Sequence, residues 1–168
     1  IELAKKHSSH LINISTDKAV DPKSVMGMTK RIGEIMVKNA GFISVRFANV
    51  LGSRGSVIPI WQKQVDEGKP LTITHPDMER YFMTIPQAVS LVISATELSE
   101  IDPGSIVILN MGKPIKIFDL AKQIIEKSGQ DLGLREIGIR PGESMSEKLM
   151  TDDEAKVAIK KNGFWIIT

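Results

Sequence analysis

The sequence predicts an α/β fold built in layers, and three observations carry that prediction. Short apolar, β-branched runs alternate with longer amphipathic stretches from one end of the chain to the other. Turn signals such as Asp21-Pro22, Ala40-Gly41 and Gly68 separate them. The composition is that of a globular protein: 168 residues, 42% hydrophobic and 25% charged. That length gives one domain or part of a larger one, with enough residues to bury a core.

The elements follow in order. Leu11 to Ser15 is a short apolar run of buried-strand type, and Thr16 to Lys23 is polar and turn-rich, with Pro22 disfavouring helix just before it. Ser24 is placed to cap a helix that runs to about Asn39 and stops at Ala40-Gly41. Met28, Ile32, Ile35 and Met36 form an apolar stripe on it, so this Met-rich helix is expected to turn that stripe into the core. Ile43 to Phe47 reads as a strand, Asn49 to Ser56 as a loop and Ile58 to Glu67 as a helix. Pro70 to Thr74 reads as a strand and Tyr81 to Thr84 as a short extended piece. A helix begins at Pro86, a first-turn residue, and runs to Leu98. Glu100 to Gly104 is a loose connector, Ile106 to Leu109 a strand, Phe118 to Ser128 a helix and Leu134 to Ile139 a strand. Asp152 to Lys160 reads as a short helix and Phe164 to Ile167 as a terminal extended segment.

Several function classes are excluded. The formal net charge of +2 gives no electrostatic case for nucleic acid or a charged membrane surface. With no cysteine there is no disulfide scaffold, thiol catalysis or thiolate metal site, which fits a cytoplasmic protein. No apolar stretch approaches the ~18–20 residues of a membrane span. His7, His10 and His75 lack partners at ligand spacing, so no metal site is expected. Trp61 and Trp165 read as packing residues.

Two segments carry chemistry. Ser15-Thr16-Asp17-Lys18-Ala19-Val20 ends an apolar strand, and ligands of open α/β folds bind outside the carboxyl ends of strands. A hydroxyl, a carboxylate and an amine together can position a substrate and move protons. In Met26-Gly27-Met28-Thr29-Lys30-Arg31, Met26 and Lys30 lie one helical turn apart on a shared face. Taken alone, the first segment is an ordinary solvated turn and the second a helix with a core methionine and a surface lysine. Together they follow the active-site layout of short-chain dehydrogenases/reductases, a hydroxyl residue followed at about ten residues by a position four short of lysine.

The likeness extends along the chain. These two segments, Arg46 to Pro59, Arg80 to Ile85, Arg140-Pro141-Gly142-Glu143 and Phe164 to Ile167 resemble, in order, the CapD-like nucleotide-sugar 4,6-dehydratases, a branch of the extended short-chain dehydrogenase/reductase superfamily. The resemblance implies the C-terminal part of a Rossmann-like, doubly wound parallel sheet plus a small α/β substrate-binding subdomain. Residues 1–56 would end the dinucleotide-binding domain and carry the catalytic strand and helix. Residues 57–168 would form mainly the nucleotide-sugar-binding region, interleaved with the last strands. A strand followed by a Gly-rich turn and helix is missing, because Gly52-Ser53-Arg54-Gly55 has the wrong spacing, so an N-terminal half is expected outside this sequence.

The resemblance also implies a reaction: a UDP-N-acetylhexosamine becomes a 4-keto-6-deoxy sugar for surface polysaccharide, with NAD or NADP as cofactor. Lys30 matches the lysine that binds the nicotinamide ribose, and Ser15 is the second residue expected at the cofactor. Thr16 matches the hydroxyl near sugar C4, Asp17 the acid at the C6 hydroxyl and Lys18 the base at C5. Met26 stands where the wider superfamily has a catalytic tyrosine; a thioether carries no exchangeable proton, so Met26 marks a subgroup and leaves the C4 base to Asp17, Thr16 or water. Asn49, Arg80 and Arg140 match residues at the nucleotide diphosphate, and Glu143 one at the ribose. Ser144 departs from the family's usual lysine. Helices that pair across two-fold interfaces in homo-oligomers are also implied, and longer relatives are membrane-anchored with this domain in the cytoplasm. The alternatives are a UDP-sugar 4-epimerase and a non-catalytic, truncated UDP-sugar-binding remnant.

Overall fold

The computed structural model describes residues 1–98 and 102–168, so residues 100 and 101 of the expected connector lie outside them. The chain forms two compact units that interleave along the sequence. The first comprises residues 1–48, 86–110 and 148–168; the second comprises 49–85 and 111–147. The chain first passes from one unit to the other after residue 48.

The first unit is an α/β layer structure. Its helices are α1 (Glu2–Lys6), α2 (Val25–Asn39), the greater part of α4 (Ile85–Leu98) and α6 (Asp152–Val157); its strands are β1 (Ile12–Thr16), β2 (Ile43–Phe47), β7 (Ile106–Leu109), β10 (Ile159–Lys161) and β11 (Phe164–Ile167). They make one sheet in the order β1-β2-β7-β11-β10, with β1, β2 and β7 parallel and the last two antiparallel to their neighbours. Ile43, Val45, Val107 and Ile108 are fully covered, as interior parallel strands require. The second unit holds α3 (Val57–Asp66) and α5 (Ile117–Ser128), with the two-stranded pairs β3 (Asn49–Val50) with β6 (Phe82–Met83), β4 (Leu71–Ile73) with β9 (Leu134–Glu136), and β5 (Glu79–Arg80) with β8 (Ile115–Lys116). Trp61, Val65, Leu71, Ile73, Met78, Ile117 and Ala121 form its core, and Trp61 donates its indole N–H to the Thr72 carbonyl at 2.7 Å.

Two expectations are corrected. Residues 152–160 are not one helix: α6 ends at Val157, Ala158 is extended, and Ile159–Lys161 pairs with β11. The cause is Asn162-Gly163, where φ is 49° and 83°, the two positive values that a tight hairpin turn demands. The stripe of α2 is the second. Met28, Ile32, Ile35 and Met36 are 49–57% exposed, whereas the buried residues of the helix are Gly27, Glu34 and Val37 on the opposite face. Gly27 permits that orientation, because a Cβ there would overlap the carbonyl oxygen of Lys18. The helix lies against the turn by its bare backbone rather than by an apolar stripe.

Candidate active site

Strand β1 ends at Thr16, which caps a single 3-10 turn, Asp17–Ala19, by accepting from the Lys18 amide. This places three side chains in one hydrogen-bonded line. Thr16 Oγ1 donates to Asp17 Oδ1 at 3.0 Å, and Lys18 Nζ donates to the same oxygen at 3.0 Å. The Asp17 side chain is fully covered, while that of Lys18 is 38% exposed. Ser15 is buried, and its hydroxyl has no hydrogen-bond partner among the described residues.

Ser24 accepts from the Gly27 amide at 3.1 Å, which starts α2 where its cap was expected. Lys30 lies in the second turn of α2, and its Nζ donates to the Ile14 carbonyl of β1 at 2.9 Å. One of three ammonium hydrogens is thereby used, leaving two for other acceptors. Met26 lies one turn earlier on α2, 48% exposed.

A buried ion network lies behind this segment. Arg46 of β2 is fully covered and donates to both oxygens of Glu34, Nε to Oε1 and Nη2 to Oε2, each at 2.8 Å. It also donates to Glu154 at 2.7 and 2.9 Å and to the Leu149 carbonyl at 3.1 Å, while Arg31 bridges Glu34 and Glu154. Burial opposes the charge of Arg46, but the hydrogen bonds and charges of Glu34 and Glu154 outweigh it and hold its pKa above the usual arginine value. For Glu154, burial pushes the carboxyl up, yet hydrogen bonds from Arg46 and the Thr151 amide, with Arg46's charge, bring it down to about 2. A carboxyl whose folded pKa lies below its unfolded value stabilises the fold at pH above that unfolded value, here 4.5, and loses the contribution as pH falls towards 2. Thermal melts should therefore weaken across that acid window, and Glu154→Gln should flatten that part of the profile. An unaltered acid limb in the variant would contradict this assignment.

The second unit gathers the residues matched to nucleotide recognition. Arg80 is nearly covered; its Nη1 donates to the carbonyls of Glu79 and Met145 at 2.8 and 3.1 Å, and its Nη2 to Glu143 at 3.2 Å. Its Nε lies 3.5 Å from Glu147. The amide nitrogen of Asn49 donates to the Tyr81 carbonyl at 3.0 Å and to Glu147 at 3.1 Å. Arg140 lies in an exposed turn closed by the Glu143 amide on the Arg140 carbonyl at 3.0 Å, with Gly142 at φ 79° after Pro141. Glu147, a residue the sequence analysis did not single out, thus joins Asn49 to Arg80, and Arg80 in turn holds Glu143. Among these matched residues Arg140 presents the exposed guanidinium.

A family model described as polysaccharide biosynthesis protein matches residues 1–168. The chain belongs to this family. It is 50% identical over 156 residues to the capsular polysaccharide biosynthesis protein CapD of Staphylococcus aureus, covering 87% of this chain and 26% of that protein. It is 36% identical over 167 residues to a UDP-glucose 4-epimerase of Rickettsia akari, covering 94% of this chain and 48% of that protein. The chain therefore spans about half or less of these curated relatives. Among solved structures, Pen from Bacillus thuringiensis superposes with a TM-score of 0.91 at 35% identity, covering 99% of this chain and 55% of that one. The dTDP-glucose 4,6-dehydratase of Bacillus anthracis str. Ames, solved with NAD, shares the fold at a TM-score of 0.78 and 16% identity, covering 92% and 57%. The sheet of the first unit is thus the Rossmann-like, parallel-rich sheet of this family's fold. Among the described residues no helix is long and apolar enough to cross a membrane.

Proposed function

We propose that the chain is the catalytic and nucleotide-sugar-recognising part of a UDP-N-acetylhexosamine 4,6-dehydratase. The observation that carries this reading is the Thr16-Asp17-Lys18 line at the carboxyl end of β1. Elimination of water across C5 and C6 needs a base and an acid, and an epimerase needs neither there.

The Lys18–Asp17 ion pair supplies both. Transfer of one proton along its 3.0 Å hydrogen bond turns ammonium and carboxylate into amine and carboxylic acid. Burial of Asp17 favours that neutral pair, because low dielectric penalises separated charge. The Lys18 amine then takes the C5 proton, and the Asp17 acid gives its proton to the departing C6 hydroxyl, which leaves as water. Since Asp17 is covered, its proton leaves by way of Thr16 or Lys18, both of which donate to its carboxylate. The end state is again the ion pair. Thr16 also holds the sugar near C4, where Met26 cannot serve as base.

The donor set at Lys30 fits a nicotinamide nucleotide. Its two uncommitted N–H groups suit vicinal ribose hydroxyls, and its charge favours deprotonation of nearby hydroxyls. When bound, NAD or NADP supplies the hydride acceptor for C4 and the donor for C6, so the sugar undergoes no net oxidation.

Recognition of the UDP moiety falls to the second unit. Arg140 would be its exposed fork, suited to bidentate pairing with phosphate, and Glu143, a carboxylate already held by Arg80, would accept from ribose hydroxyls. Arg140→Ala is expected to weaken UDP binding, with a larger effect at low salt than at high salt. Unchanged calorimetric affinity for UDP would remove the diphosphate role. The reading as a whole is tested by incubating the full-length protein that contains this chain with UDP-N-acetylglucosamine. A product lighter by one water is expected, and an isomer of unchanged mass would overturn it.

A further inference from the structure

We infer that the buried Glu34–Arg46 pair is a positioning device for Lys30, setting where helix α2 stands along strand β1. The inference rests on the role proposed above for Lys30 and adds the means by which that ammonium is aimed.

The need for such a device follows from the orientation of α2. Its apolar stripe faces away from the sheet, and the residues it buries are Gly27, Glu34 and Val37. Apolar packing is non-directional and tolerates sliding by a fraction of a turn. A glycine contact against the Lys18 carbonyl brings the helix close but holds no longitudinal position. The Glu34–Arg46 fork does hold one: both carboxylate oxygens are engaged at 2.8 Å, and a fork of two parallel N–H···O bonds has one geometry.

Both ends of the fork are keyed to the candidate site. Arg46 is the register partner of Ser15 on β1, so its guanidinium is anchored at the level of the residue before Thr16. Glu34 lies one turn beyond Lys30, and Gly27, Lys30 and Glu34 recur at the three- and four-residue steps that share a helix face. Fixing Glu34 on Arg46 therefore fixes the height at which Lys30 meets the Ile14 carbonyl, 2.9 Å away. Glu154, Leu149 and Arg31 complete the hydrogen bonding around Arg46 and Glu34 and keep the arginine in one orientation. A buried ion network of this kind is no more stabilising than packed apolar side chains of the same volume. What it adds here is register.

The test uses the full-length enzyme with Arg46→Lys, which keeps the charge and loses the fork, and Glu34→Gln, which keeps the shape and loses the charge. Steady-state kinetics are measured below the melting temperature of each variant, together with the rate at which Lys30 is reductively methylated, followed by mass spectrometry. Both variants are expected to lose kcat by roughly 10- to 100-fold, the cost of displacing a reacting group by about 1 Å, with KM for UDP-N-acetylglucosamine nearly unchanged. Lys30 should be methylated faster, because its bond to Ile14 is loosened. A purely structural role moves the melting temperature and neither of these quantities. Folded variants with wild-type kcat and wild-type Lys30 reactivity would overturn the inference, and if Arg46→Lys does not fold, Glu34→Gln decides alone. If the wild-type enzyme dehydrates no nucleotide sugar, the functional reading falls while the methylation rate still judges the positioning role.

Discussion

Lys30→Ala in the full-length protein is expected to abolish turnover and leave the fold intact. The side chain is exposed and, among the described residues, donates one hydrogen bond, to the Ile14 carbonyl at 2.9 Å, so its loss opens no core cavity. Its ammonium reaches from α2 to the Ile14 carbonyl of β1, and a preorganised charge at a reacting centre is worth ~10²–10³-fold or more in rate. Circular dichroism and a melting curve close to wild type, with no detectable product, are the expected results. Near-normal turnover in a folded variant would remove the superfamily mechanism from this protein.

Asp17→Asn is the second large effect. Asparagine keeps the shape and accepts from Thr16 and Lys18, but it has no acidic proton to pass on. Loss of the C6 hydroxyl should slow by ~10²–10⁴-fold, the usual contribution of a positioned acid–base group. The affinity for the UDP-sugar should change far less, because nothing in Asp17 is needed to recognise UDP. A raised KM at unchanged kcat would make Asp17 a binding residue instead. Because the Asp17 side chain is fully covered, a fall in stability accompanies the kinetic effect, and the kinetics must be read below the variant's melting temperature.

Much of this was legible in the sequence because the chemistry is local. Ser15 to Lys18 are consecutive, and the spacing from Thr16 to Lys30 is set by one turn and one helix start, whose cap at Ser24 is read correctly. Strands β2, β7 and β11 stand where their apolar runs predict, since interior strands need continuous burial. The face that α2 turns to the sheet is not legible in the sequence, for a physical reason. An amphipathic pattern says which residues are apolar, not which side the protein supplies a neighbour for, and here glycine and glutamate face the sheet. The Arg46 network joins residues 12 and 108 positions apart, a distance at which one sequence carries no pairing signal. Arg46 itself was a sign: a lone charge inside an apolar strand is costly unless it is paired. Two local signals do stand in the sequence at these corrected places, the Asn162-Gly163 hairpin turn and the Thr151-to-Glu154 capping box. Glu147 had no signal of its own, because what it does is join Asn49 and Arg80, which are far from it along the chain.

In the proposed reaction one carbon of the sugar is oxidised so that its neighbours can lose water. The most direct measurement gives the full-length enzyme UDP-N-acetylglucosamine carrying deuterium at C4 and locates the label in the product by NMR. A 4-keto-6-deoxy sugar, lighter by one water and with the deuterium now on C6, is the predicted result. Deuterium still on C4 of an isomer of unchanged mass would contradict the account and make the protein an epimerase.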